Sequence, residues 1–393
     1  MKNSILSNNV IQQIGFGLTA AALIGAYCVC ACAALGQGLL SVLLCCAVCF
    51  LVSLKLKNGV YAPDAFLLVP MFYTFSVLSP VSACISVLSG SFVFIGLRKI
   101  LKGRKISDAV ITGAALSLAV GVTILLTNHY FGIGATGETP FEMLKSFRSL
   151  GFHPNFRGLL YGTITLFTMI TYPFKFRKLN KYIPAEFITV LIPFILNLFL
   201  NPQQELTTIN ETEFLSVTDT LKNTSAYFTD FSASEIPLII KTALATGVIL
   251  FGYSTFDNSS DDNSMFIANA LSGGLSGLPV RRFSVRGYGK ISAVTAFAVT
   301  VVSVLIFPNL FSRLPLHCAG SMLIVSAWQS VPYKSLAEVF KKKDVISIFI
   351  FALCTVPFIS SDIFTAVIVY LIITVIYNKK SPLLKERSGT NEN

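Results

Sequence analysis

The chain has 393 residues, 53% hydrophobic and 12% charged, with a formal net charge of +11 and a mean hydropathy of +0.71. Soluble domains carry about twice that charged fraction, so a water-soluble core is excluded. The basic excess sits in short loops between apolar runs, which sets aside nucleic-acid binding and reads as a positive-inside pattern instead.

Apolar runs of about 18–23 residues fit a hydrocarbon core of about 30 Å. In chain order they cover roughly 13–34, 37–54, 64–79, 81–97, 107–127, 158–174, 184–200, 237–256, 264–278, 284–306, 309–312 with 314–330, 345–357 and 360–377. The first is expected to be a retained helix, because no convincing charged leader and cleavage site precede it. Cys28, Cys30 and Cys32 alternate along it, and Cys45, Cys46 and Cys49 fall in the second run. A spacing of two turns side chains to different faces of a helix. These thiols therefore read as small packing residues at helix contacts, with no metal or cofactor expected.

Basic clusters at Lys55 and Lys57, Arg98–Lys105, Lys175–Lys181, Lys341–Lys343 and Lys379–Arg387 place those loops and both termini in the cytoplasm. The stretch Asn201–Glu235 has six carboxylates and one lysine and belongs outside. Its Asn210-Glu-Thr and Asn223-Thr-Ser match the glycosylation acceptor pattern and read as chance matches. The expected order is a cytoplasmic N-terminus (1–12), a first membrane repeat (13–200), the outer loop (201–235), a second repeat (236–378) and a polar, disordered cytoplasmic tail (379–393).

Proline or glycine interrupts spans at Pro63, Pro70, Pro279, Pro308, Pro315 and Pro357. In each half an early pair of spans is expected to lead into a Pro-led short helix, Val60–Phe66 and Gly277–Phe283. Interrupted spans in corresponding positions of two halves point to a transporter binding site. With about seven elements per half, an odd number, the second repeat is inverted relative to the first. The predicted fold is an all-α polytopic membrane protein of about fourteen spans in a seven-plus-seven inverted repeat.

Asn269–Lys290 holds five glycines, a proline and three arginines between two apolar runs. Irregular backbone survives at membrane depth only when buried in protein or lining a watery cavity. Half-helices opening at Pro63 and Pro279 would present free N–H groups and positive dipole ends to an anion. Arg286 is the expected charge partner, with amides near Ala65, Phe66 and Val285 as donors. Asp64 is expected to pair with Arg286 in the empty site or to carry a coupling proton. The three histidines, His129, His153 and His317, form no HExxH motif, and the glycines lack the GK[ST] ending of a phosphate loop, so no enzyme is expected.

MFIANALSGGLSGLPV, with an arginine seven residues after its proline, resembles the sulfate permease (SulP) family, whose segment reads approximately ELxxxGxxNxxxGxxGGLPVTGSxSRS. RLPLHCAGSMLIVSAWQSV (Arg313–Val331) is similar to the family's IPLAxLAAILxVVAW helix. SDAVITGAAL (Ser107–Leu116) and GVYAPDAFLL are similar to its SxPVxxGFxxGxAL and SVGPxAxxSL segments. The collinear resemblance spans about 13–378 and is most specific over 264–331. It implies a core domain of spans 1–4 and 8–11, a gate domain of spans 5–7 and 12–14, and elevator-like motion of a homodimer. The implied substrate is a small anion (sulfate, bicarbonate, chloride or a dicarboxylate), coupled to a proton or sodium and bound between the third and tenth spans. The implied site residues are Asp64, Ala65, Phe66, Tyr253, Phe283, Val285 and Arg286. Departures are the missing C-terminal STAS domain, Tyr253-Ser254 in place of a glutamate-serine pair, Phe283 and Val285 in place of hydroxyls, and Asp64 itself. The expected location is the inner or plasma membrane. The rival readings are a nucleobase or other neutral or zwitterionic solute carrier on the same scaffold, an enzyme on lipid-linked substrates, and a non-transporting receptor.

Overall fold

The computed structural model describes residues 2–35, 39–54, 56, 59–74, 78–101, 108–133, 135, 140–151, 153–200, 231–256, 262–285, 287–306, 314–341, 345–360 and 363–388. The first half comprises α1 (Lys2–Ala34), α2 (Leu39–Ser53), β1 (Gly59–Pro63), α3 (Ala65–Thr74), α4 (Pro80–Ile100), α5 (Asp108–Phe131), α6 (Pro140–Leu150), α7 (Phe156–Lys175) and α8 (Ala185–Leu200). The second comprises α9 (Ile236–Phe256), α10 (Asp262–Ser276), β2 (Val280–Ser284), α11 (Lys290–Ile306), α12 (Leu316–Gln329), α13 (Tyr333–Lys341), α14 (Val345–Ser360) and α15 (Ile363–Ser388). Arg286, Lys55, Lys57, Pro308 and the outer stretch 201–230 with both acceptor patterns lie outside the described residues.

Among the described residues four helical stretches are long and apolar enough to cross a bilayer: Val10–Ala34, Pro80–Ile100, Asp108–Phe131 and Ala233–Ser254. Shorter apolar helices cover Ser41–Ser53, Ala185–Asn197, Lys290–Thr300 and Phe364–Ile376. Large apolar side chains such as Phe167, Phe199, Val294 and Phe349 stay exposed on the outside of the bundle. Water would penalise so much apolar surface, whereas lipid tails accept it. The chain is an integral, multi-pass membrane protein.

Packing partners repeat between the halves. Helix α4 packs on α9 and α10, as α11 packs on α1 and α2. Helix α5 packs on α14 as α12 packs on α7, and α8 packs on α1 as α15 packs on α9. Strands β1 and β2 pair antiparallel, with Gly59 opposite Ser284 and Pro63 opposite Val280. These reciprocal pairs are the signature of the inverted repeat. One element breaks it. The ten-residue α3 follows β1, whereas after β2 the described residues Val285 and Gly287–Gly289 are irregular and the next described helix is α11.

Glycines set the closeness of the α4–α9–α10 packing. A Cβ on Gly273 of α10 would lie 2.4 Å from the Leu88 backbone nitrogen of α4, and one on Gly247 of α9 would lie 2.6 Å from the Val93 side chain. Gly277 (φ 67°) ends α10 in the left-handed conformation that glycine adopts without strain. Gly274 has nothing within 4 Å of its Cβ position, so close packing accounts for Gly273 but not for its neighbour.

Both chain ends are more helical than the sequence suggests. Helix α1 begins at Lys2 rather than near residue 13, and α15 continues to Ser388 through the polar stretch expected to be disordered. Helix propagation adds one hydrogen bond per residue once a span has nucleated it.

Gly273→Ala is expected to force α10 away from the α4 backbone and to destabilise the protein by about 1–3 kcal/mol, the usual cost of overpacking. A lowered unfolding midpoint of the detergent-solubilised protein, beside an unchanged midpoint for Gly274→Ala, checks this.

Candidate functional site

The interrupted spans meet at the β1–β2 pair. Buried N–H and C=O groups in hydrocarbon must find partners. The strands satisfy one another, and polar side chains serve the flanks. Asn269 of α10 donates to the Val280 carbonyl (2.9 Å) and accepts from the Val280 amide (2.9 Å). Ser272 donates to the Leu278 carbonyl, and Ser53 of α2 accepts from the Tyr61 amide (2.8 Å). A chain broken at Pro63 and Pro279 is thereby stable at depth.

Side chains alternate along a strand. Arg281 stands opposite Ala62, and Phe283 opposite Val60, on one face of the pair. The small Ala62 leaves room for the guanidinium. It lies over the ring of Tyr253 from α9 (4.7 Å to the centroid) and near the ring of Phe283 (5.1 Å), a double cation–π arrangement. Its Nη1 donates to Ser330 Oγ at 3.2 Å and faces Asp64 Oδ2 at 3.4 Å. Phe283 in turn packs on Tyr27 of α1 (4.6 Å), whose hydroxyl shares a 2.9 Å hydrogen bond with Ser326 of α12.

Asp64 links strand to helix. It is fully buried, and its Oδ1 accepts from the Phe66 amide at 3.0 Å, so it caps α3. The Tyr253 hydroxyl donates to the same oxygen, and the Tyr253 ring stacks on Phe66 (5.8 Å, 26°). Asp64 Oδ2 accepts no hydrogen bond among the described residues. The Arg281 side chain keeps 22% of its surface accessible while the Asp64 side chain keeps none. The cation is therefore the member of the pair that a solute can reach.

Beside the cluster is a cavity of about 30 Å³, measured as space open to the centre of a water molecule, where about 10–15 Å³ holds one water. Phe66, Ile111, Leu118, Val248, Tyr253 and Tyr370 are among its walls. Arg281 does not line it, but Tyr253 touches both cavity and guanidinium.

Four of the expected site residues, Asp64, Phe66, Tyr253 and Phe283, lie in or against this cluster, and Ala65 is buried at the start of α3. Val285 is buried just past the end of β2, where its carbonyl accepts from the Tyr288 amide. Arg281 meets Asp64, and Arg286, the cation expected there, lies outside the described residues. Two opposed half-helices are also corrected to one. Pro63 ends a strand, Pro279 precedes one, and the helix after β2 starts at Lys290. The single helix end, that of α3, is capped by its own carboxylate. Tyr27, Ser326 and Ser330 join the site from α1 and the α12 end without any local signal. Arg281 had one: GVYAP and VRRFS are short runs with β-branched and aromatic residues, bounded by Gly and Pro, that read as strands.

No protein-family model matches the chain, and no curated protein matches it. Solved structures do. The transmembrane domain of a cyanobacterium bicarbonate transporter, BicA, superposes with a TM-score of 0.66 at 14% identity, covering 93% of this chain and 97% of that one. The chain has the fold of that transporter domain. SLC26A9 superposes with a TM-score of 0.69 at 13% identity over 94% of this chain, which spans 65% of that protein. Murine Slc26a9, an anion transporter captured in the inward-facing state, gives 0.66 at 12% identity, covering 93% of this chain and 68% of that one. The resemblance drawn from 264–331 is thus matched at the level of fold.

Tyr253→Phe removes the hydroxyl that serves Asp64. A hydrogen bond to a charged group contributes about 1.5–3 kcal/mol, so the variant should lose stability of that order and unfold at a lower temperature. Differential scanning fluorimetry against Tyr370→Phe, which leaves Asp64 untouched, measures it.

Proposed function

We propose that the chain is a secondary transporter of small inorganic or organic anions, working by elevator-like movement of a core domain against a gate domain. The observation that carries this reading is Arg281, a buried but reachable cation held by two aromatic rings at the break in two spans. Likeness of fold to a bicarbonate transporter and to SLC26A9 supports it. The reading includes a homodimer with both termini cytoplasmic, as the basic loops suggest.

The charge balance adds a constraint. Asp64 and Arg281 offset one another, and an anion arriving at Arg281 would leave two negative groups around one cation in a poorly solvated site. Uptake of a proton by Asp64 removes that conflict, so anion and proton move together. The same balanced pair favours one alternative, a zwitterionic or neutral solute such as a nucleobase, whose two ends would each find a partner. Flux into proteoliposomes decides between these, with a panel of labelled anions and nucleobases at acid and neutral pH, with and without sodium. Saturable anion uptake supports the proposal, and uptake of nucleobases alone rejects it.

Arg281→Ala should lose roughly 2–5 kcal/mol of apparent anion affinity, the cost of removing one partner of a buried charge pair, while Arg282→Ala retains uptake. In the same assay wild-type uptake should rise as pH falls, because protonated Asp64 is the form that admits the anion. Asp64→Asn should transport with that pH dependence flattened. Equal pH profiles for the two proteins would remove Asp64 from the coupling step and leave it a helix cap.

A further inference from the structure

The cysteines of α1 and α2, expected from their spacing to be packing residues only, converge in space. Cys45 and Cys49 are four apart on α2 and so share one face. That face meets Cys28 of α1. The three Sγ atoms all lie within 4.8 Å of one another, with Cys28 and Cys45 3.4 Å apart, and all three side chains are fully buried. The spacing that argued against a metal concerned neighbours on a single helix, whereas the cluster forms between two.

Three sulfurs held about 2.3 Å from one d10 ion in a trigonal plane lie about 4 Å from each other. The Cys28–Cys45 separation is 3.4 Å and none of the three exceeds 4.8 Å, a range that contains that value. An all-sulfur set without imidazole or carboxylate selects soft ions. We propose that Cys28, Cys45 and Cys49 form a buried three-thiolate site for a soft, thiophilic cation, with Cu(I) as its fitting occupant. A structural Zn(II) site takes four ligands, one more than the trio supplies. Each thiolate formed releases one proton. Binding through all three thiolates therefore releases three protons for each Cu(I) taken up and leaves two negative charges on the complex. The ion clamps α1 to α2, and the same face of α2 continues to Ser53, which holds β1 through the Tyr61 amide. The site is separate from Arg281 and does not depend on the transport reading.

The test uses the full chain in lipid nanodiscs, loaded anaerobically with Cu(I) and challenged with the cuprous chelator bicinchoninate. Wild type should retain one copper per chain, show a sulfur-only shell of three ligands by X-ray absorption, and melt at a higher temperature than the copper-free protein. Cys45→Ser should lose retained copper, and Cys354→Ser should keep it. No retention by wild type, nitrogen or oxygen in the shell, or retention by Cys45→Ser equal to wild type overturns the proposal. So does a count of seven rather than nine titratable thiols in the denatured, copper-free protein, which marks one disulfide instead. Should Cys45→Ser fold poorly, the wild-type absorption spectrum and thiol count still decide.

Discussion

Hydrocarbon does not solvate a peptide group, and every unpaired N–H or C=O left in it costs several kcal/mol. Two spans of this protein break within the bundle, at Pro63 and Pro279, and the rest of the site follows from how those breaks are satisfied. Strands β1 and β2 close on one another, while Asn269, Ser272 and Ser53 serve the backbone at their edges. The pairing also fixes register. A slip of one residue would turn every side chain of β2 to the opposite face. Arg282 would then face Asp64 and Tyr253, and Arg281 would face away. Backbone satisfaction and the choice of arginine are one constraint.

The second constraint is electrostatic. A single buried charge is costly, and a pair is tolerated when geometry and further hydrogen bonds compensate each ion. Asp64 has the Phe66 amide, the Tyr253 hydroxyl and Arg281; Arg281 has Asp64, Ser330 and two aromatic faces. Tyr253 serves both ions and also walls the cavity, so one side chain joins the cavity to the charge pair.

The scaffold is symmetric and the site is not. Helices exchange partners between the halves, yet among the described residues only β1 is followed by a short helix. The asymmetry replaces a second helix dipole with a full charge. A capped helix end and a guanidinium now face each other where two partial positive charges were expected. Cluster formation between helices is the same effect elsewhere: the α1–α2 thiols approach because two faces meet, not because of their spacing in the chain.

Membrane residence, the two halves and the broken spans were legible in the chain, because hydrophobic length and proline placement act locally. Asp64, Phe66 and Tyr253 were picked out through the motif positions they occupy, and the structure brings the three together. The strand character of Val280–Ser284 was not read, since a proline before a short run suits a helix start as well as a strand, and only its partner 217 residues earlier in the register at Ala62–Pro63 distinguishes them. Composition and pattern by themselves determined that this protein sits in lipid, with polar backbone breaks at two corresponding places. Which arginine meets Asp64, that one helix end and not two points at it, and that three thiols converge were decided by the tertiary structure alone, because each depends on contacts between segments far apart in the chain.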